Sequence, residues 1–333
     1  MKSKKIMLLI AAMLCAGLLA GCASSESGTD SGSGAYKIGV LQYADHPSLD
    51  NCLEGFKQGL DSEGIEYELT AQSAKNDDAT NTQIAQQFAS RQLNLVCGIA
   101  TPSAQACYNA CYEAGIPVIF NAVSDPVAAN LAVSDTEPMD GMTGVSDKLP
   151  VEEQLKLIRE ILPEAQKIGI LYTTSEANSV STIEEYKEKA GAYGFEIVER
   201  GITNAAEIPQ AIDVLLPGVD CVTNMTDNTI VNNLPVLIEK AEAAGVPVFG
   251  SEEEQVAAGC VASAGIDYIE LGRKAGVMAA RILSGEDISG IPYETMTESK
   301  ITINPDAAAA FNVELPQSVT DRAEVRTSQA DES

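Results

Sequence analysis

Six short polar clusters hold most of the groups in this chain that could meet a ligand. They are Tyr43-Ala44-Asp45-His46-Pro47 with Gln42 just before it, Thr101-Pro102-Ser103, and Asn121-Ala122-Val123-Ser124-Asp125-Pro126. Further along come Thr173-Thr174-Ser175-Glu176-Ala177-Asn178-Ser179, Thr226-Asp227-Asn228 and Ser251-Glu252. Hydroxyls and amides beside free helix N–H groups favour an anion such as a carboxylate. Asp125 or Asp227 could meet an ammonium. The mixture suits a small zwitterion. Each cluster taken alone can equally be a helix N-cap, which wants the same residue types. His46 is the only histidine, and Pro47 fixes the loop beside it. It is either ligand-facing or an exposed loop residue. A catalytic role lacks support, with no Gly-x-Ser-x-Gly elbow, Walker loop or dinucleotide fingerprint.

The clusters matter because of what precedes them. Runs at 37–42, 67–71, 93–100 and 117–122 read as strands, the first buried and the third apolar throughout. Helical spacing links Leu49, Leu53, Phe56 and Leu60, and Pro47 is placed to open that helix. Helices are also predicted over 79–91 and 103–114, the second ending at Gly115. Strands that are apolar throughout fit a parallel sheet covered on both faces. The alternation β-α-β-α is doubly wound. Ligands of such sheets bind beyond the carboxyl ends of the strands, where the clusters fall.

The plan is then repeated. Lys37-Ile38-Gly39-Val40-Leu41 returns as Lys167-Ile168-Gly169-Ile170-Leu171, and Ala114-Gly115-Ile116-Pro117-Val118 as Ala244-Gly245-Val246-Pro247-Val248. Both offsets are 130 residues, a period that suits a whole lobe. Strands are predicted over 167–172, 195–200, 219–224, 246–250 and 260–264. A helix through Ile230, Leu234, Ile238 and Ala241 ends at Gly245, and another runs through Tyr268, Leu271, Ala275, Met278 and Ile282. The expected fold class is α/β, with two doubly wound parallel-sheet lobes and a cleft between them. Residues 317–333 read as a polar, frayed tail.

The N-terminus predicts export. Lys2, Lys4 and Lys5 precede an uncharged apolar run over 6–19, too short to span a bilayer comfortably. Leu19-Ala20-Gly21-Cys22 follows and resembles the bacterial lipobox. That resemblance implies a signal peptide over 1–21, lipid on the Cys22 sulfur and cleavage before it. An ordinary signal peptide with a chance Cys is the alternative. Residues 22–35 are Ser/Gly-rich and read as a flexible tether. Losing 1–21 removes three lysines and no acid, taking the formal charge from −27 to −30. Such a surface argues against nucleic acid and against electrostatic docking to anionic lipid. Cys52, Cys97, Cys107, Cys111, Cys221 and Cys260 form no Cys-x-x-Cys pair, so no metal or cofactor is expected and buried free thiols are favoured.

From about 36 to 315 the chain resembles the ABC-transporter substrate-binding lipoproteins of the type I periplasmic-binding fold. It is most similar to the branch with members that bind tryptophan, tyrosine or phenylalanine. The resemblance rests on Ile38-Gly39-Val40-Leu41-Gln42, His46-Pro47-Ser48-Leu49-Asp50, Gly55-Phe56 and Ala100-Thr101-Pro102-Ser103-Ala104-Gln105. It rests also on Ser124-Asp125-Pro126-Val127, Thr143-Gly144-Val145-Ser146-Asp147, Ser175-Glu176-Ala177-Asn178-Ser179 and Thr226-Asp227-Asn228. It implies lobe 1 from 36–142 plus 267–292 and lobe 2 from 143–266 plus 293–316. A three-segment hinge would cross near 143–146, 263–267 and 291–300. Thr101, Ser103 and Ser124 would hold a carboxylate, and Asp227 the α-ammonium. Gln42, His46 and Asn178 would line the rest, with Asp125, Ser179 and Ser251 also in the candidate site. The chain has no Trp and six Phe, so Tyr43 and Tyr172 are the nearest candidates to stack on an aromatic ligand. The implied protein is not an enzyme. It is a lipid-anchored monomer on the outer face of the bacterial cell membrane that passes an amino acid, aromatic in this branch, to an ABC permease. A sensing lipoprotein that reports to a membrane receptor is the second reading, and an exported cleft hydrolase the third.

Overall fold

The computed structural model describes residues 34–327. The expected signal peptide, Cys22, nearly all of the tether and residues 328–333 lie outside the described residues. From Ala35 onward the chain forms one compact unit.

The first lobe runs β1 (Tyr36–Gln42), α1 (Pro47–Ser62), β2 (Tyr67–Ser73), α2 (Asp78–Ala89), β3 (Leu95–Ile99), α3 (Thr101–Cys111) and β4 (Val118–Asn121). A short antiparallel pair follows, β5 (Ala132–Ser134) and β6 (Glu137–Pro138), and then β7 (Met142–Ser146). β1 pairs in parallel with β2 and β3, β3 with β4, and β4 with β7. β3 is buried along its whole length, as an apolar run between two helix layers must be. β2 sits at the edge and exposes several positions.

The second lobe runs α4 (Val151–Ile161), β8 (Lys167–Thr173), α5 (Ala177–Ala190), β9 (Glu196–Ile202), α6 (Ile208–Leu215), β10 (Cys221–Thr223), α7 (Asn228–Val231), α8 (Leu234–Ala244), β11 (Val248–Phe249), α9 (Glu253–Ala257) and β12 (Ala262–Gly265). Its parallel order β9-β8-β10-β11 reproduces β2-β1-β3-β4. The repeated Lys-Ile-Gly phrase therefore lies in the equivalent strands β1 and β8. Gly115 and Gly245 both adopt positive φ, +66° and +70°; Gly245 caps α8, whereas α3 ends at Cys111, before the expected 114, and Gly115 lies in the turn that follows. The single helix expected through 230–241 is broken into α7 and α8. Pro235 cannot donate to the carbonyl four residues back, so the helix restarts at Leu234.

The chain then returns to lobe 1 through α10 (Tyr268–Leu283) and β13 (Glu294–Thr295), which pairs with β7. It ends on lobe 2 with β14 (Lys300–Ile303), α11 (Pro305–Ala310), α12 (Gln317–Thr320) and β15 (Glu324–Val325). β14 pairs antiparallel with β12 and parallel with β15. β7 is a strand of the first sheet, so the chain leaves lobe 1 after Ser146, later than the expected 142/143 boundary. β13 and Met296 likewise belong to lobe 1, beyond the expected 292. The expected frayed tail is also corrected. Val319 is fully buried in the second core and β15 extends its sheet.

Each lobe has its own apolar core. The six cysteines are buried and free. α1 and α10 approach closely because glycines face each other. A Cβ on Gly272 would stand 2.2 Å from the Cys52 carbonyl, and one on Gly55 2.0 Å from that of Ile269. This packing sets the N-terminal ends of both helices beside the cleft.

Candidate functional site

The carboxyl ends of the two sheets face each other across a narrow, nearly closed cleft with a cavity of about 10 Å³. Lobe 1 and the first crossover contribute His46, Leu49, Ala100, Thr101, Ala122, Ser124, Asp147 and Tyr268. Lobe 2 contributes Asn178, Thr226, Asn228 and Glu252. Among the described residues, no Lys or Arg lines it. The lobes are closed on each other. Ser48 Oγ donates to Glu252 Oε1 at 2.6 Å and Asn51 Nδ2 to Glu254 Oε1 at 2.6 Å. Asn76 Nδ2 donates to Thr229 Oγ1 at 3.2 Å, and the Ser124 and Thr226 hydroxyls lie 3.4 Å apart.

Four of the expected residues come together here: His46, Thr101, Ser124 and Asn178. Thr101 opens α3, whose N-cap Ala100 supplies no side-chain cap. The Thr101 hydroxyl is buried without a protein partner, beside helix N–H groups suited to an anion. Asn178 donates to the Thr226 carbonyl at 3.1 Å and keeps Oδ1 unpartnered.

The other six do not line this space and bond within the protein. Gln42 donates to the Ala44 carbonyl and to Asp50, both at 2.8 Å. Ser103 donates to Asn81 at 2.7 Å, which steadies the start of α3. Asp125 accepts from the Ala128 amide at 2.9 Å and so closes its own turn. Ser251 donates to the Asn224 carbonyl at 2.5 Å. Asp227, expected to take the ammonium, is fully buried as the N-cap of α7. Its Oδ2 accepts from the Thr173 amide at 2.6 Å and from Ser179 at 2.7 Å. Its Oδ1 accepts from the Thr173 hydroxyl and the Ile230 amide, both at 2.9 Å. Four donors leave it little capacity for a ligand, and Ser179 is committed with it. The candidate stacking rings also lie elsewhere. Tyr43 is buried and donates to Asp78 at 2.8 Å, and Tyr172 packs against the second core.

Asp147, Thr226, Asn228, Glu252 and Tyr268 were not among the expected residues. Asp147 directly follows β7, so the strand-end rule finds it once 142–146 is read as a strand rather than a crossover. Thr226 and Asn228 flank Asp227, and Glu252 follows Ser251. In the first of these turns the helix cap used Asp227, and in the second Ser251 is tied to the Asn224 carbonyl, which leaves their neighbours to the cleft. Nothing in the sequence marked Tyr268 as more than a core position on its helix.

Acid dominates the electrostatics. Asp147 Oδ2 accepts from the Tyr268 hydroxyl at 2.8 Å, while Oδ1 is buried without a hydrogen-bond partner. Burial pushes the Asp147 carboxyl up, against the Tyr268 and Ser124 hydroxyls that pull it down. Burial and the neighbouring Glu254 push Glu252 up to about 8. Burial and Asp227 push Glu176 up to about 7, although it accepts from the amides and side chains of Asn228 and Thr229. Burial lowers His46 to about 4, so its imidazole is neutral near pH 7. Such a cleft favours a cationic group at its acids and an anionic group at the start of α3.

A closed, two-lobed α/β protein with a polar cleft at its strand ends is a solute-capturing binding protein in form. Residues 37–326 match the family model described as ABC transporter substrate binding protein. The chain belongs to that family, and its fold is the type I periplasmic-binding fold. It is 38% identical over 325 residues to a "Tyrosine-binding protein" of Clostridioides difficile (strain R20291), covering 94% of each chain. It is similar to a Streptococcus pneumonia ABC domain solved in complex with L-Trp, with 32% identity and a TM-score of 0.83 over 86% of this chain and 99% of that one. It also matches a ligand-free, open substrate-binding protein with adhesive properties from Clostridium difficile, with 36% identity and a TM-score of 0.68 over 89% and 100%. The lower score against the open structure, despite its higher identity, agrees with the closed lobes seen here.

Proposed function

We propose that this protein captures an aromatic amino acid between its lobes outside the cytoplasm and delivers it to an ABC importer while anchored through lipid on Cys22. The observation that carries the ligand class is the set of unpartnered acceptors opposite an uncapped helix N-terminus, in a cleft lined, among the described residues, by no Lys or Arg. The α-ammonium meets Asp147 Oδ1 and Asn178 Oδ1. The α-carboxylate lies at the Thr101 hydroxyl and the first N–H groups of α3. Leu49, Ala100, Ala122 and the Tyr268 ring supply apolar surface for an aryl group. The ligands named for the two similar proteins, tyrosine and L-Trp, support the same class.

The lobes close on the solute by rotation about the crossovers that follow Ser146, Gly265 and Met296. Direct cross-lobe bonds such as Ser48–Glu252 then hold the closed form for docking. One cleft per chain makes a monomer sufficient. Uptake of labelled tyrosine or tryptophan by cells with and without this chain tests the delivery role. Unchanged uptake of both would contradict it.

A further inference from the structure

Four side chains lining the cleft keep a buried polar atom without a protein partner: His46 Nδ1, Thr101 Oγ1, Asp147 Oδ1 and Asn178 Oδ1. The two charged ends of an amino acid account for the last three. Thr101 donates to the carboxylate, and Asp147 and Asn178 accept from the ammonium. His46 Nδ1 is left over.

The chemistry of that nitrogen is fixed by its neighbours. Asn228 Nδ2 donates to Glu176 Oε2 at 2.7 Å. This commits the amide nitrogen, so Asn228 Oδ1 is the atom that faces His46 Nε2, at 3.4 Å. A carbonyl oxygen can only accept, so Nε2 carries the proton and Nδ1 is a bare acceptor. Burial keeps the ring neutral, and its lone pair remains available. The side chain is 7% exposed. A buried acceptor is costly unless something donates to it.

His46 also has a distinct place along the cleft. With Glu252 it forms a wall shared with an adjoining interlobe cavity of about 230 Å³, to which Pro47, Leu234 and Pro235 give apolar surface. Asp147, Asn178 and Thr101 border only the inner space. A ligand held by its α-groups at those three residues has its side chain left to meet His46.

Resting on the aromatic amino-acid reading above, we infer that His46 Nδ1 is a specificity-determining acceptor for a hydrogen-bond donor on the ligand's side chain. The site takes a phenol or an indole and discriminates against a plain phenyl group. The Tyr O–H or Trp N–H completes the last orphaned atom, whereas phenylalanine buries it unpaired. Sites built to bond a substrate hydroxyl or N–H reject the analogue that lacks it far more strongly than apolar pockets reject a size difference.

Titration calorimetry of the purified protein with L-tyrosine, L-tryptophan, L-phenylalanine and 4-fluoro-L-phenylalanine tests this. The fluoro compound approaches tyrosine in length but has no donor. Both phenyl ligands are expected to bind on the order of 100-fold more weakly than tyrosine. In His46→Leu, tyrosine and phenylalanine are expected to converge to within about threefold, because the coupling between the two changes is gone. Equal affinity of the unaltered protein for tyrosine and phenylalanine overturns the inference and leaves the aromatic reading standing. Undiminished discrimination in a folded His46→Leu also overturns it. Binding of none of the four is a different outcome, which removes the aromatic reading and this inference with it.

Discussion

Replacing Asp147 by asparagine separates ligand binding from folding. Asp147 is 3% exposed; Tyr268 donates to its Oδ2 at 2.8 Å, and the nearby Ser124 hydroxyl also favours its ionised form. Its Oδ1 is buried and unpartnered. Asparagine keeps the shape and an acceptor for Tyr268 but removes the charge opposite the ligand ammonium. Truncating one partner of a buried, hydrogen-bonded charge pair costs about 2–5 kcal/mol. Since Asn retains its volume and half its acceptor capacity, the lower part of that range applies, about 2–3 kcal/mol or roughly 30- to 150-fold in dissociation constant. Without ligand the effect on stability has the opposite sign. Burial raises this carboxyl, so the ionised group is held at a penalty in the folded state. Asp147→Asn is therefore expected to melt at the same temperature or higher when ligand-free, with the larger gain toward alkaline pH. Calorimetric titration gives the affinity and a thermal melt of the same sample gives the stability. Full affinity in a folded Asp147→Asn would refute the ammonium assignment. An equal loss of affinity and ligand-free stability would show that the residue acts on the fold alone.

The remaining expectations concern the scaffold, the pH dependence and the anchor. Asp227→Ala strands four donors and removes the α7 cap, so it should cost several kcal/mol of unfolding free energy, about 2–4, in a denaturant titration of the ligand-free protein. A variant that loses affinity at unchanged stability would return Asp227 to the ligand. Glu252 and Glu176 stand near 8 and 7 in the closed form, above an ordinary glutamate near 4.5. The folded form thus binds more protons than the unfolded one. Their contribution is full below about pH 4.5 and lost as the pH rises through 7 to 8. The ligand-free protein should melt lower at pH 9 than at pH 6, and Glu252→Gln should flatten the trend; a rising midpoint would contradict these directions. Gly272→Ala places a methyl 2.2 Å from the Cys52 carbonyl and should destabilise the α1–α10 contact by about 1–3 kcal/mol or more, read by thermal melting. Cys22→Ala should move the expressed protein from the detergent-soluble membrane fraction to the aqueous fraction. Unchanged membrane partitioning would dispose of the lipid anchor.

The lobes were legible because periodicity and repetition report burial directly. Apolar runs such as 37–42 and 167–172 must be central strands when both faces are covered, and an offset of 130 residues places them in matching sheets. Boundaries were less legible. Met142–Ser146 carries Thr, Gly and Ser, which resemble a connection in sequence but are buried in a strand. The tail from 317 is polar by composition, yet Val319 alone gives it a seat in the core. Within the site, the strand-end rule located the turns but could not say which residue of a turn faces inward. Asp227 and Thr226 are adjacent in sequence. A carboxylate is the better helix cap, so Asp227 points to its own backbone and Thr226 is left to the cleft. Asp125 is used in its own turn and Ser251 on the Asn224 carbonyl, bonds that residue type alone does not foretell. Among the described residues, Glu252 and Asp147 line the cleft with no Lys or Arg, a feature that only the three-dimensional arrangement reveals.

The most direct test of a zwitterion held between the lobes is a calorimetric comparison of L-tyrosine with N-acetyl-L-tyrosine. Acetylation keeps the ring and the carboxylate and removes only the ammonium that Asp147 and Asn178 are assigned to hold. Saturable binding of one tyrosine per chain and no measurable binding of the acetylated form are expected. Comparable affinity for both, or no binding of either tyrosine or tryptophan, would contradict it.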